Sequence, residues 1–211
     1  MHILTRGFLI TLEGIDGAGK STIAHLLFEH LKKNYTTLLT KEPGATELGK
    51  QLRTILQTTA HALDKKAEFL LFAADRAEHI QKVIKSAYTN NTIIISDRMS
   101  DSSVAYQGYG RKLDLTIITT INSWIMEGLM PDITVYLKID PHLAVKRIQK
   151  RGFLSSFDQE KIVFFEKVAA GFEDIFKKRT NVLYTDALLP ETEIMKNIMP
   201  FIEEKLRNLE Q

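Results

Sequence analysis

Eight residues near the amino terminus, Gly14-Ile15-Asp16-Gly17-Ala18-Gly19-Lys20-Ser21, follow the spacing G-x-x-x-x-G-K-[ST]. The pattern constrains the fold because it works only where a strand runs into a helix. The six residues before it, Phe8–Glu13, are apolar enough for a buried strand. After it, residues 21–33 place Ile23, Leu26, Leu27, His30 and Leu31 at helical spacing. Glycines in such a turn let consecutive backbone N–H groups face phosphate oxygens, where a side chain would block the approach. The start of the helix adds partial positive charge, Lys20 a mobile ammonium, and the Ser21 hydroxyl a ligand for Mg²⁺. A glycine turn of purely structural use would leave Gly19-Lys20-Ser21 at the helix start unexplained. The stretch from Gly14 to Thr22 therefore predicts a site for the phosphates of a nucleotide.

Strand and helix patterns alternate along the rest of the chain. Short strands are predicted at 36–40, 92–97, 133–139 and 181–185, and helices at 48–56, 65–87, 113–130, 141–151, 158–178 and 191–209. Pro131 is read as the stop of the 113–130 helix, and Asp140 as the cap of the helix that Pro141 opens. Five strands separated by helices predict an α/β fold of three layers: a five-stranded parallel sheet with helices on both faces, plus a short lid at about 146–160. Residues 1–211 are read as one domain. Ligands in this architecture bind at the carboxyl ends of the strands, so the residues after each strand become the candidates.

Composition narrows the partners. Of 211 residues, 44% are hydrophobic and 26% charged; 28 basic against 26 acidic side chains give a net charge of +2. That balance gives no reason to expect nucleic acid. No apolar run approaches the roughly eighteen residues of a membrane span, and no signal peptide is expected before the phosphate loop. The absence of cysteine excludes disulfides and thiolate metal sites and fits a cytoplasmic protein.

Two strands end in aspartate, Asp97 and Asp140. Asp97 is the better Mg²⁺ partner because Arg98 follows it, setting a carboxylate for the metal beside a guanidinium for phosphate. The guanine-specifying Asn-Lys-x-Asp of a GTPase is absent. Arginines after strands and on helices (Arg53, Arg76, Arg98, Arg111, Arg147, Arg151) suit an enzyme that neutralises several phosphates at once.

The segments Asp16–Thr22, Thr40–Thr46, Leu71–Ala77 and Asp97–Gly108, with Gly128–Asp132 and Asp186-Ala187, resemble the bacterial thymidylate kinases, of the P-loop nucleoside monophosphate kinase superfamily. The similarity runs from about Phe8 to the final helix. It implies transfer of the γ-phosphoryl group of ATP to dTMP, giving dTDP, with Mg²⁺, in a cytoplasmic homodimer. The alternatives are a kinase of another pyrimidine nucleoside monophosphate or an ATP-binding regulatory protein.

The resemblance also implies roles. Asp16, Lys20 and Arg98 carry the transfer, and Ser21 and Asp97 hold the metal. Gly14, Ile15, Asp16, Gly17, Ala18, Gly19, Lys20, Ser21 and Thr22 bind ATP, with Arg151 against adenine (Arg147 competing) and Asp186-Ala187 bordering it. For dTMP, Phe72 stacks on the base and Arg76 bonds its carbonyl oxygen. Ser103 and Gln107 face its edge, and Tyr106 crowds the 2′ position of the sugar. Arg53 and Arg98 contact the monophosphate, Asp16 positions the acceptor, and Glu42 and Pro43 order its surroundings. Ser102 is read instead as a helix cap. The helices carrying Phe69 and Trp124-Ile125 have apolar residues to spare for a dimer. One departure stands out: Gly17 and Ala18 leave the loop without the family's clamping arginine, and Ser156 occupies the lid position that would otherwise supply it.

Overall fold

The computed structural model describes residues 2–58, 63–150 and 160–210. Five strands, β1 (Phe8–Glu13), β2 (Thr37–Lys41), β3 (Ile93–Asp97), β4 (Ile133–Lys138) and β5 (Val182–Asp186), form one sheet in the order β2-β3-β1-β4-β5. Every pairing is parallel: Leu9 lies beside Ile94, Leu12 beside Val135, Leu39 beside Ile95 and Val135 beside Leu183. The central strands are apolar on both faces because both faces are covered. Phe8, Ile10 and Leu12 point into one core with α1 (Lys20–Leu31) and α9 (Glu191–Arg207), while α8 (Ile162–Phe176) covers the opposite face through Tyr136 of β4. Leu9 and Ile94 point the other way, against α3 (Lys65–His79) and α6 (Leu115–Met126). A polar substitution at Ile10, fully buried, would forfeit about 1.5–3 kcal/mol of burial and leave a polar group without water.

The remaining helices are α2 (Glu47–Thr58), α4 (Lys85–Thr89), α5 (Ser100–Ser103) and α7 (Pro141–Gln149). The expected 65–87 helix exists but is not uniform: Ile80–Ile84 form a π-helical turn between α3 and α4. A second π-helical segment, Val104–Gly110, continues α5. Such bulges cluster at functional sites because they re-aim side chains without ending the helix. Asp140 does cap α7, accepting from the N–H groups of His142 and Leu143. The 113–130 helix is shorter than expected. It starts after Asp114, whose carboxylate accepts from Thr116 N–H, and it ends at Met126, where Glu127 (φ 46°) and Gly128 (φ 81°) turn left-handed before Pro131 is reached.

The outgoing connections of β1 and β4 run to opposite sides of the sheet, so a crevice opens at the carboxyl ends of these neighbours. The glycine-rich loop lies there.

Candidate active site

A cleft of about 1590 Å³ spans the carboxyl edge of the sheet. A site for one small molecule is roughly 300–1,000 Å³, so this one has room for two nucleotides. Its floor is the later part of the glycine-rich loop, residues 16–19. Gly14 and Gly17 hold φ of 142° and 84°, and a Cβ on either would come within 2.6 Å of a carbonyl oxygen, that of Leu137 or Ala144. Position 17 is therefore closed to an arginine unless the backbone moves, and Ala18 is buried in the core. Lys20 opens α1 but is not the mobile ammonium expected from the sequence: it is buried, and its Nζ donates to Ile15 O at 2.8 Å. Burial, then the nearby Arg98 charge, pull its pKa down to about 8. Ser21 Oγ donates to Asp97 Oδ2 at 2.5 Å, while the buried Asp97 Oδ1 has no partner among the described residues.

Arg98 follows β3 with φ 75°, a left-handed conformation costly for a residue with a side chain. Its own contacts hold it there. The backbone N–H donates to Leu12 O; Nη1 donates to Gly14 O and Ser102 Oγ, and Nη2 donates to Asp16 Oδ1 at 2.6 Å and to Tyr106 Oη. Tyr106 Oη donates in turn to Asp16 Oδ2 at 2.9 Å and accepts from the Asp16 N–H. Burial alone would raise the Asp16 pKa, but Arg98 and Lys20 outweigh it and hold the carboxyl at about 2. Ser102 is not a helix cap: its Oγ donates to Glu13 Oε2 at 2.6 Å and braces Arg98. Glu13 also accepts from Met99 N–H, and burial, then the Asp101 charge, raise its pKa to about 8.

On α3, Phe72 and Arg76 lie one turn apart and both line the cleft, as the i, i+4 spacing predicts. Arg76 is 1% exposed. Its Nε donates to Glu42 Oε2 (2.8 Å), Nη1 to Asn122 Oδ1 (2.7 Å), and Nη2 to Ser103 Oγ (2.8 Å) and Met99 O (3.3 Å). One Nη1 hydrogen has no partner among the described residues. Glu42 meets His79 Nδ1 at 3.0 Å through its other oxygen, and His79 Nε2 lies 2.7 Å from Thr40 Oγ1. Burial pushes the Glu42 pKa up, but Arg76 and His79 together bring it below the ordinary carboxylate range. Arg53, from α2, bonds Pro43 O and reaches the cleft.

Ser103, Tyr106 and Gln107 also line this cleft, as do Asp16, Glu42, Pro43 and Arg53, so all ten residues assigned to the acceptor nucleotide converge. On the donor side Gly17–Thr22 and Ala187 face the cleft, whereas Gly14 and Ile15 contribute carbonyl oxygens from behind it. The Asp186 carboxylate accepts from Leu188 N–H and shapes the turn that carries Ala187, and Asp186 itself does not line the cleft. Arg147 does line it, donating to Ala187 O at 3.0 Å. Arg151 and Ser156, with most of the expected lid, lie outside the described residues. Several residues were missed. Glu13, a carboxylate closing an apolar strand, and Asn122, an amide inside an apolar helix, were legible as anomalies; Thr40, Asp75 and His79 gave no such signal.

The sequence model of thymidylate kinase matches residues 12–198. The chain belongs to the thymidylate kinase family. The thymidylate kinase of Halothermothrix orenii is 38% identical over 199 residues, spanning 92% of this chain and 95% of that protein. That of an Exiguobacterium species is 41% identical over 174 residues, 82% of each chain. The crystal structure of thymidylate kinase from Ehrlichia chaffeensis superposes with a TM-score of 0.74 at 35% identity, covering 90% of this chain and 97% of that one. As a family member the chain is an ATP-dependent nucleoside monophosphate kinase, and the parallel sheet with its phosphate loop is the fold of its relatives.

Proposed function

We propose that the enzyme transfers the γ-phosphoryl group of ATP to dTMP, releasing ADP and dTDP, with Asp16, Lys20 and Arg98 as the transfer machinery. The observation that carries this reading is the joining of two half-sites by one hydrogen-bonded cluster: Arg98 and Tyr106 from the acceptor side meet Asp16 of the phosphate loop. The acceptor phosphate is already anionic at neutral pH, so it attacks the γ-phosphorus without a general base. Lys20 and Arg98 lie where charge spreads over the transferring oxygens, and their fixed positions supply electrostatic stabilisation without reorganisation. Phe72 stacks on thymine, the remaining Arg76 N–H and Gln107 read its edge, and Tyr106 excludes a 2′-hydroxyl. Arg147, one turn before Arg151, packs near adenine with the Ala187 backbone.

The residues fit a magnesium ion. Ser21 Oγ and the Asp97 carboxylate lie together at the loop, and Asp97 Oδ1 is a buried acceptor that lacks a partner among the described residues. No group of three or more His, Asp or Glu side chains forms a metal cage among the described residues, which suits an ion that takes most of its ligands from phosphate and water. When bound, Mg²⁺ supplies charge neutralisation on the phosphate chain.

The dimer reading gains a surface. Phe69 and Ile125 belong to the core, but Leu70, Ile117 and Trp124 on α3 and α6 are exposed, Trp124 by 78%. A homodimer through this face is the arrangement we propose, and Trp124→Glu should convert it to a monomer by light scattering. No helix among the described residues is long and apolar enough to cross a membrane; the cytoplasmic placement rests on the cysteine-free composition. ADP release, measured with ATP and each of dTMP, dUMP, dCMP or no acceptor, tests the function. Fastest turnover with dTMP is expected; release that ignores the acceptor would refute it.

A further inference from the structure

Glu68 sits one helical turn before Phe72 and two before Arg76, so it shares their face of α3. It is buried, and its Oε1 accepts from Gln107 Nε2 at 2.8 Å. Arg111 holds the same carboxylate from behind. Its Nε lies 3.2 and 3.1 Å from the two Glu68 oxygens, and its Nη2 lies 3.0 Å from Oε2. Arg111 is fixed in turn by Glu160 at 2.5 Å and by the Phe164 ring, 4.4 Å beneath the guanidinium.

An amide can face either way, and its two ends carry opposite hydrogen-bonding character. A carboxylate removes that freedom because it only accepts. With Glu68 holding Nε2, the Gln107 carbonyl oxygen is the end left over. Gln107 is 2% exposed and lines the cleft, and its Oε1 has no partner among the described residues. Arg76, which can only donate, has one Nη1 hydrogen left over in the same cleft.

We infer that Glu68 is a positioning residue that sets pyrimidine specificity by locking the Gln107 amide with its oxygen toward the base. This rests on the dTMP reading above. A fixed donor on Arg76 and a fixed acceptor on Gln107 match the O4 and N3–H of an oxo-pyrimidine. Cytosine presents an amino group and a bare N3 at those positions, reversing both contacts. Thymine and uracil share this edge, so the lock separates them from cytosine and not from each other.

Glu68→Gln tests the lock by inverting it. Arg111 can only donate, so the new amide turns its oxygen to Arg111 and its NH₂ to Gln107. Gln107 must then accept, and its Nε2 swings toward the base. The expected result is a fall of about ten- to a hundredfold in the ratio of kcat/KM for dTMP over dCMP, the scale of one reversed hydrogen bond. It should arise as a rise in the dTMP KM at nearly constant kcat. The dTMP-to-dUMP ratio and the ATP KM should not move, and in a Gln107→Leu background Glu68→Gln should add nothing to the loss of specificity. A merely structural role would disturb all of these together. An unchanged dTMP-to-dCMP ratio, or an effect that survives Gln107→Leu, overturns the lock while leaving the kinase reading intact; a wild type that does not phosphorylate dTMP overturns both. Should Glu68→Gln fail to fold, the wild type decides: Gln107 side-chain amide protons protected from exchange support the lock, and freely exchanging ones refute it.

Discussion

Removing Arg76 should destabilise the fold as well as weaken the grip on the base. From sequence, Arg76 is a ligand residue whose loss weakens dTMP binding by the value of one hydrogen bond. In the structure four of its N–H groups already bind the protein, and among the described residues it and the adjacent His79 are the basic side chains bonded to Glu42. Glu42 is itself buried. Arg76→Ala therefore leaves a buried carboxylate facing a hole, and breaking a buried pair from one side costs about 3–5 kcal/mol. Against the roughly 5–15 kcal/mol that stabilises an ordinary fold, this is a large share. For a chain of this size each kcal/mol shifts the Tm by about 2–4 °C, so a drop on the order of 10 °C is expected. The cost is charge-specific, which gives the decisive variant. Glu42→Gln removes the stranded charge, so the double variant should be less destabilised than the sum of the singles by at least about 2 kcal/mol. Urea denaturation of the four proteins at pH 7.5 measures that coupling. An Arg76→Ala within about 1 kcal/mol of wild type, or strict additivity with Glu42→Gln, would refute the reasoning.

Four other outcomes are expected. Lys20→Ala should lower kcat by about a thousandfold, the scale of a lost transition-state donor, with far-ultraviolet dichroism unchanged. In the wild type, whose Lys20 pKa lies near 8, ATP affinity should weaken as pH rises through 8, and calorimetry in two buffers should detect proton uptake on binding there. Asp75 accepts from Gly44 N–H through Oδ1, but its buried Oδ2 has no partner among the described residues; burial, then the Glu42 charge, raise its pKa to about 6. A raised carboxyl favours the fold while protonated, so its contribution is complete below the unfolded value near 4 and is lost as pH climbs through 6. Asp75→Asn keeps the Oδ1 acceptor and should stabilise the protein by about 1–3 kcal/mol at pH 8 and by less at pH 5; equal denaturation midpoints at pH 8 would rule this out. Ser156→Arg should raise kcat with the dTMP KM nearly unchanged if no other side chain supplies the clamp, whereas a silent Ser156→Arg beside a crippled Arg151→Ala assigns that role to Arg151.

What could be read from the sequence was what local rules determine. The β-branched run Ile93–Ile95 and the apolar Phe8–Leu12 announced strands buried on two faces, and both lie at the centre of the sheet. Helix interiors were equally plain, but their ends were not. Pro131 reads as the stop of α6, but Gly128, three residues earlier, already offers the left-handed turn that ends it. The π-helical turns were invisible, because one extra residue per turn barely disturbs apolar spacing over a short window. Pairings across the chain were harder still. The bonds Arg76–Glu42, Arg76–Asn122 and Ser102–Glu13 join residues 34, 46 and 89 positions apart, and nothing in one sequence ties such partners together. The family resemblance supplied ligand roles but not these braces, so Ser102 was assigned to a cap it does not form.

The braces explain how a strained arginine can serve as a catalytic cation. Left-handed backbone at a non-glycine residue costs on the order of 1–3 kcal/mol and survives only where the surroundings over-determine it. At Arg98 they do, through the backbone bond to Leu12 O, the Gly14 carbonyl, Ser102 anchored on Glu13, and the Asp16–Tyr106 pair. Three of these partners sit at the end of β1 or in the loop that leaves it, and the other two on the helical segment that follows Arg98. The guanidinium is thus set by the same loop that we propose receives the donor phosphates, so a displacement of the loop displaces the cation proposed for the acceptor with it. In-line transfer needs the two phosphates aligned within a fraction of an ångström. A shared frame of hydrogen bonds delivers that alignment without requiring either half-site to be independently rigid. Position 17 belongs to the same loop, and its left-handed backbone runs so close to Ala144 that an added Cβ would lie 2.6 Å from the Ala144 carbonyl oxygen, which leaves the place to glycine.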